Sequence, residues 1–249
     1  MSGITAMIKA AILVPHMEVN RMNSARVLQC LSGEKRSLGL YTLGFSYYAE
    51  MYLGFEEAWG DLRDWIAKYP CSLTSLTYEK KISDLSKLLS MVDLYRTERL
   101  IEDLRRLHSS YPTITNLTTN ESHDMQIKDV IKRRINENPH KLLAYVWVLY
   151  SALFNGGRFI RQVILKAGPE FWGLTTDDEI QSFPPPLSFW AVNNDPEFRE
   201  TFKSCVNQAG ELLTLNERQD VIQESVWILH RCKELTEELD ERAKVYRDS

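Results

Sequence analysis

The adjacent glycines Gly156 and Gly157 constrain the fold of this chain more than any other feature. They lie in its most apolar stretch, residues 138–168, which reads NPHKLLAYVWVLYSALFNGGRFIRQVILKAG. An Asn-Pro start, a closing glycine and no proline between them predict one helix of about 28 residues, roughly 42 Å long. Each interior glycine costs about 1 kcal/mol relative to alanine. Two in a row therefore indicate a kink near the pair, a close helix crossing, or a flat ligand lying on bare backbone.

Composition limits the classes of partner. The chain has 249 residues, of which 44% are apolar and 26% charged, as is typical of a soluble globular protein. A net charge of -4 gives no reason to expect nucleic acid as a partner. No stretch approaches the ~18 apolar residues of a membrane span, so we expect no transmembrane anchor. The cysteines are scattered and predict reduced thiols in a cytoplasmic protein: Cys30, Cys71, Cys205 and Cys232.

Apolar residues recur at helical spacing along most of the chain, and no strand alternation is found. This pattern predicts one all-α domain over residues 1–249, with seven to nine helices. Residues 1–15 are either an amphipathic first helix or a ragged N-terminus. The first of the other predicted helices runs from near His16 to Leu31, and the next begins after Gly33 and extends to about Tyr69. Further helices are predicted over 76–109, around Ile127–Ile135, from Asp195-Pro196, and from the capping box Thr214–Glu217. Residues 109–122 are predicted to be a loop, and Thr176–Glu179 carries a helix-start signature.

Familiar catalytic motifs are missing from the sequence. There is no Ser-His-Asp order, P-loop, Rossmann glycine motif, HExxH or EF-hand. The carboxylates Glu50, Glu56 and Glu57 lack the Glu-x-x-His partners of a di-iron helix bundle. We therefore predict no metal site built from protein side chains alone.

Three segments carry a family resemblance: the apolar stretch with the glycine pair, YLGFEE at 52–57, and SFPPPLSFWAVNNDPEFRETFKSCVN at 182–207. Together they make most of the chain resemble the heme oxygenase family, and specifically its fungal branch. The first segment is similar to the family's distal helix, in which a glycine pair lets the helix kink over heme. The resemblance implies a single-domain, heme-oxygenase-like multi-helix bundle. In it the kinked Gly-Gly helix lies over a cleft and faces the helix that contains Val19.

The resemblance also implies which residues meet a ligand. The cleft would be lined by Val19, Leu153, Phe154, Gly156, Gly157 and Arg158. Arg199 and Lys203 match positions at which the family places basic residues toward the heme propionates. Independently of the family, cations at i and i+4 on one helix can jointly hold a carboxylate. The alternative is that both are ordinary solvated charges.

Two departures from the family pattern concern its chemistry. Val19 stands where the heme-ligating histidine is expected, and valine cannot ligate iron. His16, three residues earlier, is the candidate for a shifted ligand. On the distal helix Leu153 replaces the family's carboxylate, so it offers no proton relay.

Three functional hypotheses follow. The first is a divergent family member, an enzyme acting on a bulky apolar or planar ligand in the former heme cleft without histidine-ligated heme. It predicts weak or absent hemin ligation. The second is a true heme oxygenase that degrades heme to biliverdin, with His16 as ligand and an external electron donor. The third is a non-catalytic interaction protein on the same scaffold.

Overall fold

The structure is a computed structural model that describes residues 3–31, 37–68, 78–90, 94–110, 127–174, 184–192 and 195–248. Within these ranges all regular structure is helical and no strand is present, which confirms the predicted all-α class. The helices are α1 (Ile4–Ala11), α2 (Leu13–Leu31), α3 (Leu38–Lys68), α4 (Tyr78–Leu89), α5 (Thr97–Ser110), α6 (Ile127–Glu137), α7 (Leu142–Ala152), a π-helix (Leu153–Gly157), α8 (Arg158–Leu165), α9 (Pro196–Glu211) and α10 (Leu215–Asp248). Short 3-10 turns span Pro139–Lys141 and Pro169–Trp172.

Residues 4–11 form the amphipathic first helix rather than a ragged terminus. Ile4 and Ile8 of α1 are buried. Ile4 packs against Gly210 of α9, where an added Cβ would come within 2.5 Å of its side chain. The Thr5 hydroxyl donates to Oδ1 of Asn207 at 3.0 Å. Helix α2 then begins at Leu13, three residues before the predicted start at His16.

Helix α3 is the central element of the bundle. Apolar residues at helical spacing along it are buried, including Tyr41, Phe45 and Phe55. Helix α6 packs closely against it at Gly54, where a Cβ would approach the Lys128 carbonyl oxygen to 2.8 Å. A glycine is needed there because the backbone of another helix occupies the place of a side chain. The buried apolar residues of α1 to α10 form one hydrophobic cluster.

The prediction of a single helical stretch over 76–109 is wrong, because two helices, α4 and α5, occupy it. The carboxylate of Glu56 on α3 accepts hydrogen bonds from the Arg96 amide at 2.9 Å and the Thr97 amide at 2.8 Å. It also accepts one from the Thr97 hydroxyl at 2.6 Å. A carboxylate from a distant helix thus satisfies the free N–H groups where α5 starts.

The starts of the last two helices match their sequence signatures. The Asp195 side chain accepts from the Phe198 amide at 2.6 Å and caps α9. Glu217 accepts from the Thr214 amide at 2.8 Å, and the Thr214 hydroxyl accepts from the Glu217 amide at 3.3 Å, which completes the capping box of α10.

Two other predictions, the loop over most of 109–122 and the helix start at Thr176–Glu179, lie outside the described residues. In the part of the chain that the structure describes, no helix is long and apolar enough to cross a membrane.

Candidate functional site

The helix that carries the glycine pair is continuous but changes its winding at the pair. Helix α7 runs directly into the π-helix and then into α8, with no loop between Leu142 and Leu165. Gly157 itself keeps helical angles, with φ -58° and ψ -38°. A single-turn π segment inside an α-helix is frequent at functional sites and is a known cause of kinks. The predicted irregularity at the pair is therefore a π-helix.

The two glycines have different surroundings. A Cβ on Gly157 would lie 3.0 Å from the indole Cε3 of Trp190 and 3.1 Å from Cδ1 of Leu153. The aromatic group next to the bare backbone there is thus an indole of the chain itself. A Cβ on Gly156 would meet nothing within 4 Å. Packing among the described residues explains why position 157 has no side chain. It does not explain the glycine at position 156, which faces open space.

Alanine variants at the two positions should differ in stability because their surroundings differ. Gly156→Ala gains helix propensity without a contact, so we expect it to be as stable as the wild type or up to about 1 kcal/mol more stable. Gly157→Ala gains the same propensity but presses on Trp190, whose Nε1–H donates to the Tyr41 hydroxyl at 2.9 Å. Overpacking should make it about 1–3 kcal/mol less stable than Gly156→Ala. Urea unfolding of both variants measures the difference, and equal stabilities would contradict the assigned roles.

Helices α2 and α8 pack against each other and present much of the exposed apolar surface. Eleven large apolar side chains are exposed among the described residues, and six of them lie on these two helices: Leu13, Val14, Met17 and Leu28 on α2, and Phe159 and Leu165 on α8. Large exposed apolar patches mark binding sites more often than isolated apolar residues do. The region around Gly156 thus adjoins helices that retain uncovered apolar surface.

The two candidate ligand positions on α2 also differ. Val19 is 8% exposed and belongs to the hydrophobic core. His16 is exposed, and its side chain has no hydrogen bond or ion pair to any described residue. At helical spacing, His16 shares one stripe with Asn20, Asn23 and Val27. A side chain at position 19 packs in the core, whereas the imidazole of His16 is accessible to a ligand.

Polar contacts hold α2 in place. The Asn23 amide donates to the Tyr48 hydroxyl of α3 at 2.9 Å. Arg26 pairs with Asp240 of α10. Lys233 of α10 pairs with Glu18 at 2.7 Å. These bonds hold α2 against α3 and α10.

The remaining predicted cleft residues are divided between core and surface. Leu153 and Phe154 are buried. The Phe154 ring packs edge-on against Phe198 and Phe202 of α9, with centroid distances of 5.5 and 5.1 Å. Arg158 is exposed. Position 156 and Arg158 are accessible, whereas Phe154 faces α9.

The two predicted anion-binding residues lie on α9 beside the π-helix. A terminal nitrogen of Arg199 donates to the Phe154 carbonyl oxygen and to Oδ1 of Asn155, both at 3.1 Å. Lys203 is half exposed, and its ammonium lies 3.5 Å from a carboxylate oxygen of Glu200. Arg199 therefore already has hydrogen-bond partners on the helix with the glycine pair. The four-residue spacing of Arg199 and Lys203 in the sequence did not reveal these bonds.

A buried tyrosine approaches the same helix from α3. The Tyr52 hydroxyl donates to the Leu149 carbonyl oxygen at 2.9 Å. Burial raises the pKa of Tyr52, so the phenol stays protonated and keeps donating. Among the described residues, no group of three or more His, Cys, Asp or Glu side chains is placed to hold a metal ion.

Comparison with solved structures identifies the architecture. Heme oxygenase 2 from Chlamydomonas reinhardtii, solved without heme, superposes with a TM-score of 0.63 at 14% identity, over 95% of this chain and 97% of that one. The heme oxygenase from Leptospira interrogans gives 0.62 at 15% identity, over 95% and 100%. Heme oxygenase-1 from the cyanobacterium Synechocystis, solved in complex with heme, gives 0.60 at 12% identity, over 98% and 97%.

Sequence comparisons give no such match: no protein-family profile and no curated protein sequence matches this chain. Identities of 12–15% to the solved structures establish a common architecture and nothing finer. That architecture nevertheless spans nearly the whole chain and includes the helix with the glycine pair. This chain has the all-helical fold of the heme oxygenases.

Proposed function

We propose that this protein binds heme between α2 and the helix with the glycine pair (α7, the π-helix and α8), where the bare backbone at Gly156 would lie against the macrocycle and His16 would ligate the iron. The observation that carries the proposal is the open space at Gly156. A glycine there costs helix stability, and no described residue uses the space that its missing side chain leaves. One of the solved structures that this chain resembles is a heme oxygenase in complex with heme.

The residues present fit heme in their chemistry. A planar macrocycle needs a flat surface, which Gly156 supplies. Its apolar edges need apolar neighbours, and Met17 on α2 and Phe159 on α8 are 63% and 41% exposed. Neutral imidazole is a common axial ligand of heme iron, and His16 is accessible. The propionates need cations, and Arg158, Arg199 and Lys203 are the candidates.

When bound, heme supplies an iron centre that can react with dioxygen. The π-helix supplies no side chain suited to proton transfer. Leu153 and Phe154 are apolar and buried. The Asn155 side-chain amide donates to the Ser151 carbonyl oxygen at 2.8 Å and accepts from Arg199. No titratable side chain lies between Ala152 and Gly157, so binding is the primary proposal.

Heme degradation with an external electron donor is the second candidate. The observation in its favour is that the Chlamydomonas, Leptospira and Synechocystis proteins whose structures resemble this chain are all heme oxygenases. A reductant added to the hemin complex tests it, since turnover would replace the heme absorbance with that of biliverdin. A stable reduced complex would leave binding as the function.

Hemin titration with matched glycine variants tests the proposed site. We expect the wild type to bind one hemin with a single-histidine spectrum. Gly156→Leu fills the open space and should weaken binding by about tenfold or more, equivalent to about 1.4 kcal/mol. Gly60→Leu is the control, because Gly60 of α3 is also helical with no neighbour within 4 Å of a Cβ.

Each alternative predicts a different result. Unchanged binding by Gly156→Leu would show that the ligand does not lie on this turn. Tight binding without a histidine spectrum would favour the planar-ligand hypothesis without axial ligation. If neither hemin nor iron-free protoporphyrin binds, the interaction-protein hypothesis is favoured.

A further inference from the structure

Side chains of two other helices donate hydrogen bonds to backbone carbonyl oxygens in the π-helix or just before it. A π turn is a less favourable winding than an α turn, and this one also contains two glycines. The Tyr52 hydroxyl of α3 meets the Leu149 carbonyl just before the turn. The guanidinium of Arg199 on α9 meets the Phe154 carbonyl inside it. Arg199 is thus the side chain that bonds to the backbone of the π-helix itself.

Asn155 extends the contact of Arg199 over a longer part of the turn. Its amide nitrogen donates to the Ser151 carbonyl at 2.8 Å, which orients its oxygen to accept from Arg199 at 3.1 Å. One nitrogen of the guanidinium thus contacts a backbone oxygen and an oriented side-chain oxygen of consecutive residues. Hydrogen bonds from a charged donor are stronger than those between neutral groups. Loss of this one side chain should loosen the whole turn.

Arg199 is also accessible to a ligand. It is only partly buried, and it lies on α9 beside the π-helix, where it is a candidate to bind a heme propionate. A carboxylate binds a guanidinium more strongly than a carbonyl oxygen does, because both partners are then charged. The Phe154 carbonyl and a propionate would therefore compete for the same group.

We propose that Arg199 is a positioning residue that clamps the π-helix, and that a ligand carboxylate draws its guanidinium away from the Phe154 carbonyl. The clamp is a property of the ligand-free protein. Its coupling to a carboxylate rests on the proposed function. Anion binding at α9 would then loosen the turn that faces the macrocycle, while Phe198 and Phe202 continue to hold the Phe154 ring.

Hydrogen exchange of the ligand-free protein tests the clamp. In Arg199→Ala we expect the amides of residues 155–159 to exchange about tenfold faster, as expected for one lost hydrogen bond to a charged donor. Arg199→Lys should give an intermediate rate because lysine keeps the charge but not the planar fork. Lys203→Ala is the control, since Lys203 lies one turn further along α9 and pairs only with Glu200 among the described residues.

The location of the change distinguishes a clamp from general destabilisation. The faster exchange should be confined to the π-helix and the start of α8, with helical content and exchange in α3 and α6 unchanged. Unchanged exchange at residues 155–159 in Arg199→Ala would overturn the clamp. Faster exchange throughout the bundle would also overturn it, because Arg199 would then be a general stabilising residue.

Hemin and its dimethyl ester test the coupling. In the wild type we expect faster exchange at residues 155–159 with hemin than with the uncharged ester, and no such difference in Arg199→Ala. Equal exchange with the two bound ligands would overturn the coupling. If hemin does not bind, the proposed function and the coupling both fail, while the ligand-free comparison still decides the clamp. If hemin binds but ligand-free Arg199→Ala exchanges like the wild type, the clamp and the coupling both fail, while the proposed function stands.

Discussion

Replacement of Glu56 by alanine should destabilise this protein by about 3–5 kcal/mol and lower its melting temperature by about 10 °C. Glu56 is 2% exposed. Its carboxylate accepts the Tyr150 hydroxyl at 2.7 Å, as well as the amides and the hydroxyl at the start of α5. Removal leaves several buried donors unpaired, each costing about 1–3 kcal/mol. Thermal unfolding followed by circular dichroism measures the loss.

The neighbouring residue provides a matched control. Glu57 pairs with Lys128 at 2.6 Å and with Lys132 at 2.7 Å, and its side chain is 40% exposed. Exposed ion pairs contribute about 0–1 kcal/mol, so Glu57→Ala should be nearly neutral. Glu56→Gln, which keeps one acceptor oxygen, should fall between the two. Equal effects of the two alanine variants would contradict the role assigned to Glu56 as the cap of α5 and the partner of Tyr150.

Replacement of His16 by alanine should weaken hemin binding by about 100-fold and abolish the single-histidine spectrum. Loss of partners that only orient a metal ligand already costs about 10–100-fold in affinity, and the loss of the ligand itself should cost at least as much. His16 is exposed and has no partner among the described residues, so the variant should keep its melting temperature. A hemin titration followed by absorbance measures both affinity and ligation.

Val19 provides the contrasting position. It lies in the core, so Val19→His would bury a polar ring where valine now packs and should lower stability by about 1–3 kcal/mol. We do not expect it to improve ligation. If a Val19→His protein is stable and binds hemin better than the wild type, residue 19 rather than residue 16 is the position from which a side chain reaches the iron. A wild-type spectrum retained by His16→Ala would exclude His16.

The helical class and several helix starts were predictable because their causes are local. A side-chain oxygen caps an amide three residues away in Asp195 and Thr214, so the signature lies within four consecutive residues. The buried stripe of α3 follows from the 3.6-residue period alone. The cost of adjacent glycines indicated an irregular helix at Gly156 and Gly157, where the π-helix occurs.

The interruption between α4 and α5 could not be predicted in the same way. Its cap is the carboxylate of Glu56, which is 41 residues before Thr97 in the chain. Similarly, Gly157 is bare because of Trp190, and the Phe154 carbonyl is bonded to Arg199. No periodicity in the sequence encodes a contact between helices that are distant along the chain.

The sequence by itself therefore determined the helical class, the local caps of α9 and α10, and that the helix with the glycine pair is unusual. Only the tertiary structure decided that Gly157 supports an indole while Gly156 is open, that Val19 is in the core while His16 is exposed, and that Arg199 bonds to the π-helix. The physical reason is that helix formation depends on neighbours within about four residues, whereas burial and access depend on which helices pack together.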